Sequence, residues 1–184
     1  MFQRLLEQIA LGLENAGIPY MVVGGQALLL YGEPRLTRDI DVTLGVGPDR
    51  LGDVLNLVTD WGWQVLVESS PEFVQETLVL PCLDPPSNIR IDLMFSFTAY
   101  ERQAMDRVRT VPVGNAQVRF ASVEDLIIHK VVAGRPRDVE DVRGILLKKP
   151  ALDTPYVRRW LRELDVSLNE SFSERFEQLV KSVH

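Results

Sequence analysis

The sequence predicts an α+β fold, in which helices pack on a mixed β-sheet and a C-terminal helical region follows. Three observations support this prediction. Short segments that alternate polar and apolar residues recur within the first 121 residues. Segments with apolar spacing of three and four residues separate them. From Ser122 onward only the helical spacing remains, so we expect an α/β core over residues 1–121 and a helical region over residues 122–184 packed on that core.

The elements of the core are predicted from these patterns and from the residues that interrupt them. Gly24-Gly25 ends an apolar run, Gly32 stops a short helical segment, and Pro34 lies in a polar turn. The predicted helices span 2–15, 26–31, 48–61 and 99–105, and the predicted strands span 18–23, 39–44, 63–68, 77–83, 88–95, 107–111 and 117–120.

Two helix-start signals mark the C-terminal region. Ser122 followed by Asp125 is a capping-box pattern ahead of the apolar run LIIHKVV. Thr154 precedes Pro155, and proline favours the first position of a helix. The helices are expected to break near residues 134 and 150.

Composition and charge exclude several functional classes. The chain of 184 residues has 46% hydrophobic and 25% charged residues, as an ordinary globular protein does. Its formal net charge of -6 argues against sequence-blind binding to nucleic acid, which depends on neutralising many phosphates, but permits a local basic pocket. No apolar stretch approaches the roughly 18–20 residues of a membrane helix, so we expect no membrane association.

Cysteine and histidine content narrows the chemistry further. Cys82 is the only cysteine and cannot form an internal disulfide, so we expect a reducing, cytoplasmic location and a buried apolar role for its thiol. His129 and His184 are the only histidines, which disfavours a histidine-based zinc site.

Acidic residues on the polar sides of two predicted strands are the strongest functional signal. Asp39 and Asp41 are two residues apart, so both side chains leave the same face of a strand, about 6–7 Å apart. Asp92 lies on the alternating strand RIDLMF. If that strand neighbours the first, at about 4.8 Å, the three carboxylates converge.

Converging carboxylates require neutralisation, since like charges about 4 Å apart repel by about 4 kcal/mol at an effective dielectric constant near 20. Mg²⁺ or Mn²⁺ suits such a cluster, because these ions prefer carboxylates and substrate phosphates. Two such ions can support in-line phosphoryl displacement. The alternative for the Asp39/Asp41 pair alone is a solvated strand face. The upstream Gly24-Gly25 turn, which would let a phosphate approach the backbone and a helix N-terminus, favours the metal interpretation.

The stretch VVGGQALLLYGEPRLTRDIDVTL, residues 22–44, resembles the signature of the polymerase-beta-like nucleotidyltransferase superfamily. Its form is most similar to minimal bacterial nucleotidyltransferases grouped with abortive-infection toxins of type IV toxin–antitoxin systems. The segment SVEDLIIHKVVAGRPRDVEDV, residues 122–142, resembles the downstream helix and basic loop of that group. With RIDLMF, these segments cover about a quarter of the chain.

The resemblance implies a nucleotidyltransferase-like sheet and a role for each matching residue. Gly24 and Gly25 would contact the triphosphate of a nucleoside triphosphate, and Asp39 and Asp41 would hold the metals. Asp92 would bind the catalytic metal and accept the proton of the attacking hydroxyl. The resemblance also implies that Lys130 approaches the nucleotide phosphates and that Asp138 fixes the basic loop. Many members have serine where Gly25 stands, so phosphate binding here would depend on backbone N–H groups.

Several basic residues have both a functional and a structural interpretation. Arg35 is a candidate ligand for phosphate or for an acceptor substrate, or simply the partner of an acidic neighbour. Lys130 by itself is interpreted as a snorkelling surface lysine. A salt-bridged helix start accounts for Arg135, Arg137 and Asp138, although a basic loop also suits a triphosphate.

We therefore expect a metal-dependent enzyme that transfers a nucleoside monophosphate from a nucleoside triphosphate to an acceptor hydroxyl on RNA, protein or a small molecule. The subgroup resemblance implies a toxin with a cognate antitoxin as partner. The alternatives are an antibiotic-modifying nucleotidyltransferase and a catalytically silent binding or antitoxin module with the same fold.

Overall fold

Seven strands form one mixed β-sheet in the computed structural model, which describes residues 1–148 and 150–183. The strands are β1 (Tyr20–Val22), β2 (Asp39–Leu44), β3 (Gln64–Val65), β4 (Val79–Asp84), β5 (Ile89–Phe95), β6 (Arg109–Val113) and β7 (Ala116–Phe120). Their order across the sheet is β3-β4-β5-β2-β1-β7-β6. The β2–β5 and β1–β7 pairs are parallel and the others are antiparallel, so the sheet is mixed, as predicted.

Helices account for much of the remaining chain. They are α1 (Phe2–Asn15), α2 (Gly24–Tyr31), α3 (Leu51–Asp60), α4 (Ser70–Thr77), α5 (Ala99–Asp106), α6 (Val123–Ala133), α7 (Pro136–Leu147), α8 (Thr154–Leu168) and α9 (Phe172–Ser182). The predicted α+β class and the helical character of the described C-terminal residues are confirmed. His184, which the sequence analysis counted among the histidines, lies outside the described residues.

Several local predictions differ from the structure, among them the strand predicted over 107–111, which is observed as β6 over Arg109–Val113. Helix α4 was not predicted, because it buries only Val74 and so lacks an apolar stripe. The predicted strand over 63–68 shortens to the two residues of β3. Helix α2 begins at Gly24 and not at Gln26, so the Gly24-Gly25 pair is the first turn of the helix.

Contacts between residues divide the chain into two compact units. The first unit comprises Met1–Gln26 and Leu36–Ala121, which include the whole sheet. The second unit comprises Ala27–Arg35 and the described residues of Ser122–His184. Most of α2 and the loop after it therefore belong to the same unit as the C-terminal helices, although in sequence they precede β2, the strand that carries Asp39 and Asp41.

Strands β2 and β5 form the centre of the first unit and follow the two-residue period of a half-buried strand. Each buries the apolar members of its alternating pattern, which are Ile40, Val42 and Leu44 on β2 and Ile89, Ile91, Leu93 and Phe95 on β5. The aspartates of both strands fall at the other positions, where burial is incomplete at Asp41 and Asp92 and absent at Asp39.

The second unit is built on α6, whose start was predicted from Ser122 and Asp125. The Ser122 hydroxyl accepts a hydrogen bond from the Asp125 backbone N–H at 3.1 Å, which confirms the cap. Tyr156 of α8 donates its hydroxyl to the buried carboxylate of Asp125 at 2.8 Å. Helix α8 begins at Thr154 as predicted, but Asp153 is its cap, because the Asp153 carboxylate accepts from the Tyr156 N–H.

Across the part of the chain that the structure describes, no helix combines the length and the apolar character needed to span a bilayer.

Candidate active site

The parallel pairing of β2 with β5 brings the three predicted aspartates to one face of the sheet. The register pairs Asp41 with Asp92 and Asp39 with Arg90. Paired residues of adjacent strands project from the same face at a spacing of about 4.8 Å. Asp39 and Asp41 share this face because they are two residues apart. The structure therefore brings together residues from two separate segments, as the sequence analysis expected.

This acidic face is accessible, whereas the opposite face of both strands is core. The side chain of Asp92 is 21% exposed, and Asp39 is exposed at the start of β2. Ile40 and Ile91, which lie next to these aspartates in sequence, are fully buried. The carboxylates can thus meet a ligand from solvent without any rearrangement of the sheet.

Gly24 places its backbone directly against the carboxylate of Asp41. Gly24 has a φ of +60°, a left-handed conformation that favours glycine, and a Cβ there would lie 1.9 Å from Asp41 Oδ2. The adjacent Val23 N–H donates to the Asp41 carbonyl oxygen at 2.9 Å. The strand-to-helix turn and β2 are therefore in contact at the aspartate, and a side chain at position 24 would have to displace the Asp41 carboxylate and adopt a positive φ.

The second glycine of the turn is fixed by a different neighbour. A Cβ on Gly25 would lie 2.5 Å from Cγ2 of Thr37. Gln26, which follows it, donates from Nε2 to Oγ1 of Thr37 at 2.8 Å. The segment that leads into β2 thus packs on the first turn of α2 and holds the glycines beside the acidic face.

Arg90 is part of this face and was not assigned a role from the sequence. Its Nε donates to both carboxylate oxygens of Asp92, at 2.8 Å to Oδ1 and 3.1 Å to Oδ2. The hydrogen bond to Asp92 raises the pKa of Arg90 against the opposing effect of burial, and the charges of Asp92, Asp39 and Asp41 raise it further. The sequence does contain a signal for Arg90: it lies two residues before Asp92, so on a strand both side chains project from the same face.

The donor chemistry of the face fits a hard divalent cation, because all three candidate ligands are carboxylates. Among residues 1–148 and 150–183, however, no group of three or more His, Cys, Asp or Glu side chains is arranged to hold a metal. Both oxygens of the Asp92 carboxylate accept from Nε of Arg90. Asp39, Asp41 and Asp92 remain the residues predicted to hold such an ion.

Cys82 lies behind the acidic strands and takes no part in their chemistry. Its thiol is buried on β4, where it pairs with Ile91 of β5. Burial raises the pKa of Cys82 to about 12, with a smaller contribution from the charge of Asp92. The thiol is therefore protonated at neutral pH, as the expected apolar role requires.

The predicted basic residues Arg35 and Lys130 lie in the second unit, within a network of five charged side chains. Lys130 is only 4% exposed, and its Nζ donates to Asp141 at 2.6 Å and to Asp138 at 3.3 Å. Arg35 donates to Asp141 from two nitrogens, Nε at 3.0 Å and Nη2 at 2.9 Å. Arg135 donates from Nε to Asp138 at 2.6 Å.

This network explains the basic segment in structural terms. The alternative of a snorkelling surface lysine at position 130 is wrong, because the side chain is buried. Burial disfavours the charged forms of Asp138 and Asp141, but hydrogen bonds from Arg135, Arg35 and Lys130 outweigh it, so the pKa values of both carboxyls are lowered. In the contacts described, three cationic side chains face two carboxylates. The phosphate-binding roles of Arg35 and Lys130 remain predictions.

The arrangement of this sheet, with its acidic face and glycine turn, is also found in known structures. The chain matches the solution structure of the antibiotic-resistance factor ANT(2'')-Ia with a TM-score of 0.62 and 18% identity, covering 91% of this chain and 94% of that one. ANT(2'')-Ia in complex with adenylyl-2''-tobramycin matches at 0.59 and 18% identity, covering 88% and 97%. An antigenic nucleotidyltransferase-like protein from Paracoccidioides brasiliensis matches at 0.55 and 18% identity, covering 97% and 91%. The fold is that of the nucleotidyltransferases.

The family is shown by sequence. Residues 2–183 match the model of the family described as nucleotidyltransferase of unknown function (DUF6036), and the chain belongs to that family. It is accordingly a nucleotidyltransferase, an enzyme that transfers a phosphorus-containing group. A comparison with curated proteins gives no match.

Replacement of Gly24 tests the contact between the turn and Asp41. We expect Gly24→Ala to lower the free energy of unfolding by more than about 1 kcal/mol, because the substitution adds a Cβ at positive φ and overlaps the Asp41 carboxylate. Gly52→Ala is the matched control, since Gly52 lies in α3 with no atom near the position of its Cβ, and alanine is the better helix former. Chemical denaturation measures both, and equal stability of the two variants would contradict the contact.

Removal of the Lys130 ammonium tests the buried network. We expect Lys130→Met to lower the free energy of unfolding by about 3 kcal/mol, because two buried carboxylates lose a partner. Arg143→Met is the control, since its pair with Glu140 is exposed and we expect a change within about 0.5 kcal/mol. Similar losses in both variants would show that burial of the network contributes nothing.

The same variant has a predicted pH dependence. The lowered pKa values of Asp138 and Asp141 mean that their stabilisation is present above the ordinary value of 3.8 and is lost as pH falls through the folded-state values. Without Lys130 those folded-state pKa values rise, so acid unfolding followed by circular dichroism should begin at a higher pH in Lys130→Met. An unchanged acid midpoint would contradict this assignment.

Proposed function

We propose that this enzyme transfers a nucleoside monophosphate from a nucleoside triphosphate to an acceptor hydroxyl in a reaction that depends on Mg²⁺ or Mn²⁺. The observation that carries the proposal is the register of two parallel strands, which sets Asp41 beside Asp92 with Asp39 on the same face. Paired carboxylates on adjacent strands suit a divalent ion and a triphosphate better than they suit an unliganded surface.

The reaction assigns a task to each aspartate. Asp39, Asp41 and Asp92 would hold the divalent ions, which when bound stabilise the attacking and leaving oxygens of an in-line displacement. Asp92 would accept the proton of the acceptor hydroxyl. A bond forms between that oxygen and the α-phosphorus, the bond from the α-phosphorus to the bridging oxygen breaks, and pyrophosphate leaves with the bonding electron pair.

The glycine turn supplies the site for the triphosphate. Gly24 and Gly25 begin α2, and the N–H groups of a first helical turn have no partner within the helix. Such groups bind phosphate, assisted by the helix dipole. The absence of side chains at both positions lets a phosphate reach the backbone. Arg35 and Lys130 are proposed as further phosphate contacts, because both side chains are cationic and that of Arg35 is 24% exposed.

A small molecule is the acceptor that we favour. The net charge of -6 disfavours contact with many backbone phosphates, which binding of an RNA acceptor would require. ANT(2'')-Ia, which has a similar fold, forms a complex with adenylyl-2''-tobramycin, in which a small molecule carries the adenylyl group. Transfer to RNA or protein, as a toxin with a cognate antitoxin would perform in the cytoplasm, is the competing outcome of the assay below.

Nucleotide binding is tested by thermal unfolding with Mg²⁺ and each nucleoside triphosphate in turn. At a nucleotide concentration of 100 times Kd, we expect about 2.7 kcal/mol of added stability, which appears as a higher Tm only when the metal is present. Asp41→Asn should abolish this shift, because it removes a proposed metal ligand without changing side-chain volume. Asp60→Asn is the matched control on the exposed end of α3 and should retain the shift.

The transfer reaction itself is followed with a nucleoside triphosphate labelled at the α-phosphate. The labelled nucleotide is incubated with the enzyme and with small-molecule, RNA and protein fractions of a lysate. Label in the small-molecule fraction, lost in Asp41→Asn, supports the proposed acceptor, and label in RNA or protein supports the toxin interpretation. A catalytically silent module would give neither label transfer nor a metal-dependent shift, and that result would overturn the proposal.

A further inference from the structure

Thr37 joins the glycine turn to the strand that carries two of the aspartates. Its hydroxyl accepts a hydrogen bond at 2.8 Å from Nε2 of Gln26, which lies in the first turn of α2. Its methyl group packs against Gly25, where an added Cβ would lie 2.5 Å from Cγ2 of Thr37. Thr37 itself lies two residues before Asp39, the first residue of β2. We infer that Thr37 is a positioning residue, which holds the glycine turn in place beside β2 through its hydrogen bond with Gln26. This inference rests on the proposed nucleotidyl transfer.

The segment that contains Thr37 is largely exposed. Residues 33–38, all of which the structure describes, form neither helix nor strand. Both neighbours of Thr37 face solvent, since Leu36 is 78% exposed and Arg38 is also exposed. Segments with few buried apolar contacts open and shift most easily. The contacts of Thr37 with α2 are therefore the anchor of residues 36–38.

The start of β2 has less support from the sheet than its end. Strand β1 pairs with β2 as far as Val42, and the Val23 N–H extends this contact to the carbonyl oxygen of Asp41. Among the strand pairings that the structure describes, Asp39 is paired with β5 alone. The Thr37 hydroxyl adds a long hydrogen bond, of 3.4 Å, to the Asp39 carbonyl oxygen. Thr37 thus supports β2 at the end where β1 does not.

The proposed reaction uses the glycine turn and the aspartates at the same time. A bound triphosphate would accept hydrogen bonds from the turn and share a divalent ion with the carboxylates. An error of about 1 Å in the placement of such groups can lower a rate by about 100-fold. Gln26 is only 6% exposed, so loss of the Thr37 hydroxyl would leave a buried amide without this acceptor. The hydrogen bond is therefore suited to keep the turn and β2 at one spacing.

Two replacements of Thr37 separate the hydroxyl from the methyl group. Thr37→Val keeps the shape of the side chain and removes the hydroxyl, whereas Thr37→Ser keeps the hydroxyl and removes the methyl group. Isothermal titration calorimetry in excess Mg²⁺ measures Kd for the α,β-methylene analogues of ATP, GTP, CTP and UTP, taken one at a time. We expect Thr37→Val to weaken binding roughly fivefold, as loss of one hydrogen bond would, and Thr37→Ser to stay within about twofold of the wild type.

Thr59→Val is the matched control. The Thr59 hydroxyl also makes a hydrogen bond, at 2.9 Å to the carbonyl oxygen of Leu55, but this bond lies within α3. We expect the Kd of this variant to equal that of the wild type. If Thr37 has only a structural role, Thr37→Val will have a lower Tm but an unchanged Kd while folded, and that result overturns the inference. Equal losses of affinity in Thr37→Val and Thr37→Ser would assign the effect to side-chain shape and would overturn it as well.

Gln26→Met removes the same hydrogen bond from the donor side, and it decides the question if Thr37→Val does not fold. We expect a similar loss of affinity, because methionine fills the buried position without an amide donor. When both replacements are combined, the loss should not exceed that of the larger single variant, since the two remove one interaction. Additive losses would show that Gln26 and Thr37 act separately, and the inference would be wrong.

The titrations also distinguish this inference from the proposed function. If the wild type binds none of the four analogues in the presence of Mg²⁺, the proposed function is overturned and the inference with it. If the wild type binds one of them and Thr37→Val binds it equally well, only the role of Thr37 is overturned.

Discussion

The parallel, in-register pairing of β2 with β5 is the constraint on which the rest of the site depends. It sets Asp41 opposite Asp92 and Asp39 opposite Arg90, so that four charged groups from two distant segments share one face. The apolar residues between them anchor both strands, because Ile40 and Ile91 pair on the buried side of the same sheet. Core packing and site geometry are therefore fixed by the same backbone hydrogen bonds.

Concentrated negative charge has to be balanced, and the two compact units do this differently. On the sheet, Arg90 is half exposed and engages Asp92 at the surface, where the pair is free to open. In the second unit, Lys130 lies almost fully buried between Asp138 and Asp141, and Arg35 and Arg135 complete the arrangement. Buried pairs of this kind are costly to disrupt, whereas exposed pairs contribute little to stability.

The sequence was sufficient to predict the strands that carry the aspartates, since an alternating pattern with a fixed period leaves little freedom in where each side chain points. It could not predict that β2 and β5 are parallel and in register at Asp41 and Asp92, because strand pairing depends on contacts distant in the chain. Helix α4 escaped prediction because its residues are mostly exposed. Arg90 escaped because an arginine two residues from an aspartate is common on solvated strands, and only the neighbouring strand shows that its surroundings are acidic.

The register of β5 also limits how the gene can change. Between the Asp84–Asn88 turn and Asp92, every residue alternates between the core and the acidic face. Deletion or insertion of a single codon in this stretch would move each following side chain to the opposite face of the strand. An aspartate would then enter the hydrophobic core and an isoleucine would face solvent. Length variation among homologous genes should therefore fall in the turn itself, while the short stretch from Ile89 to Phe95 keeps a constant number of residues.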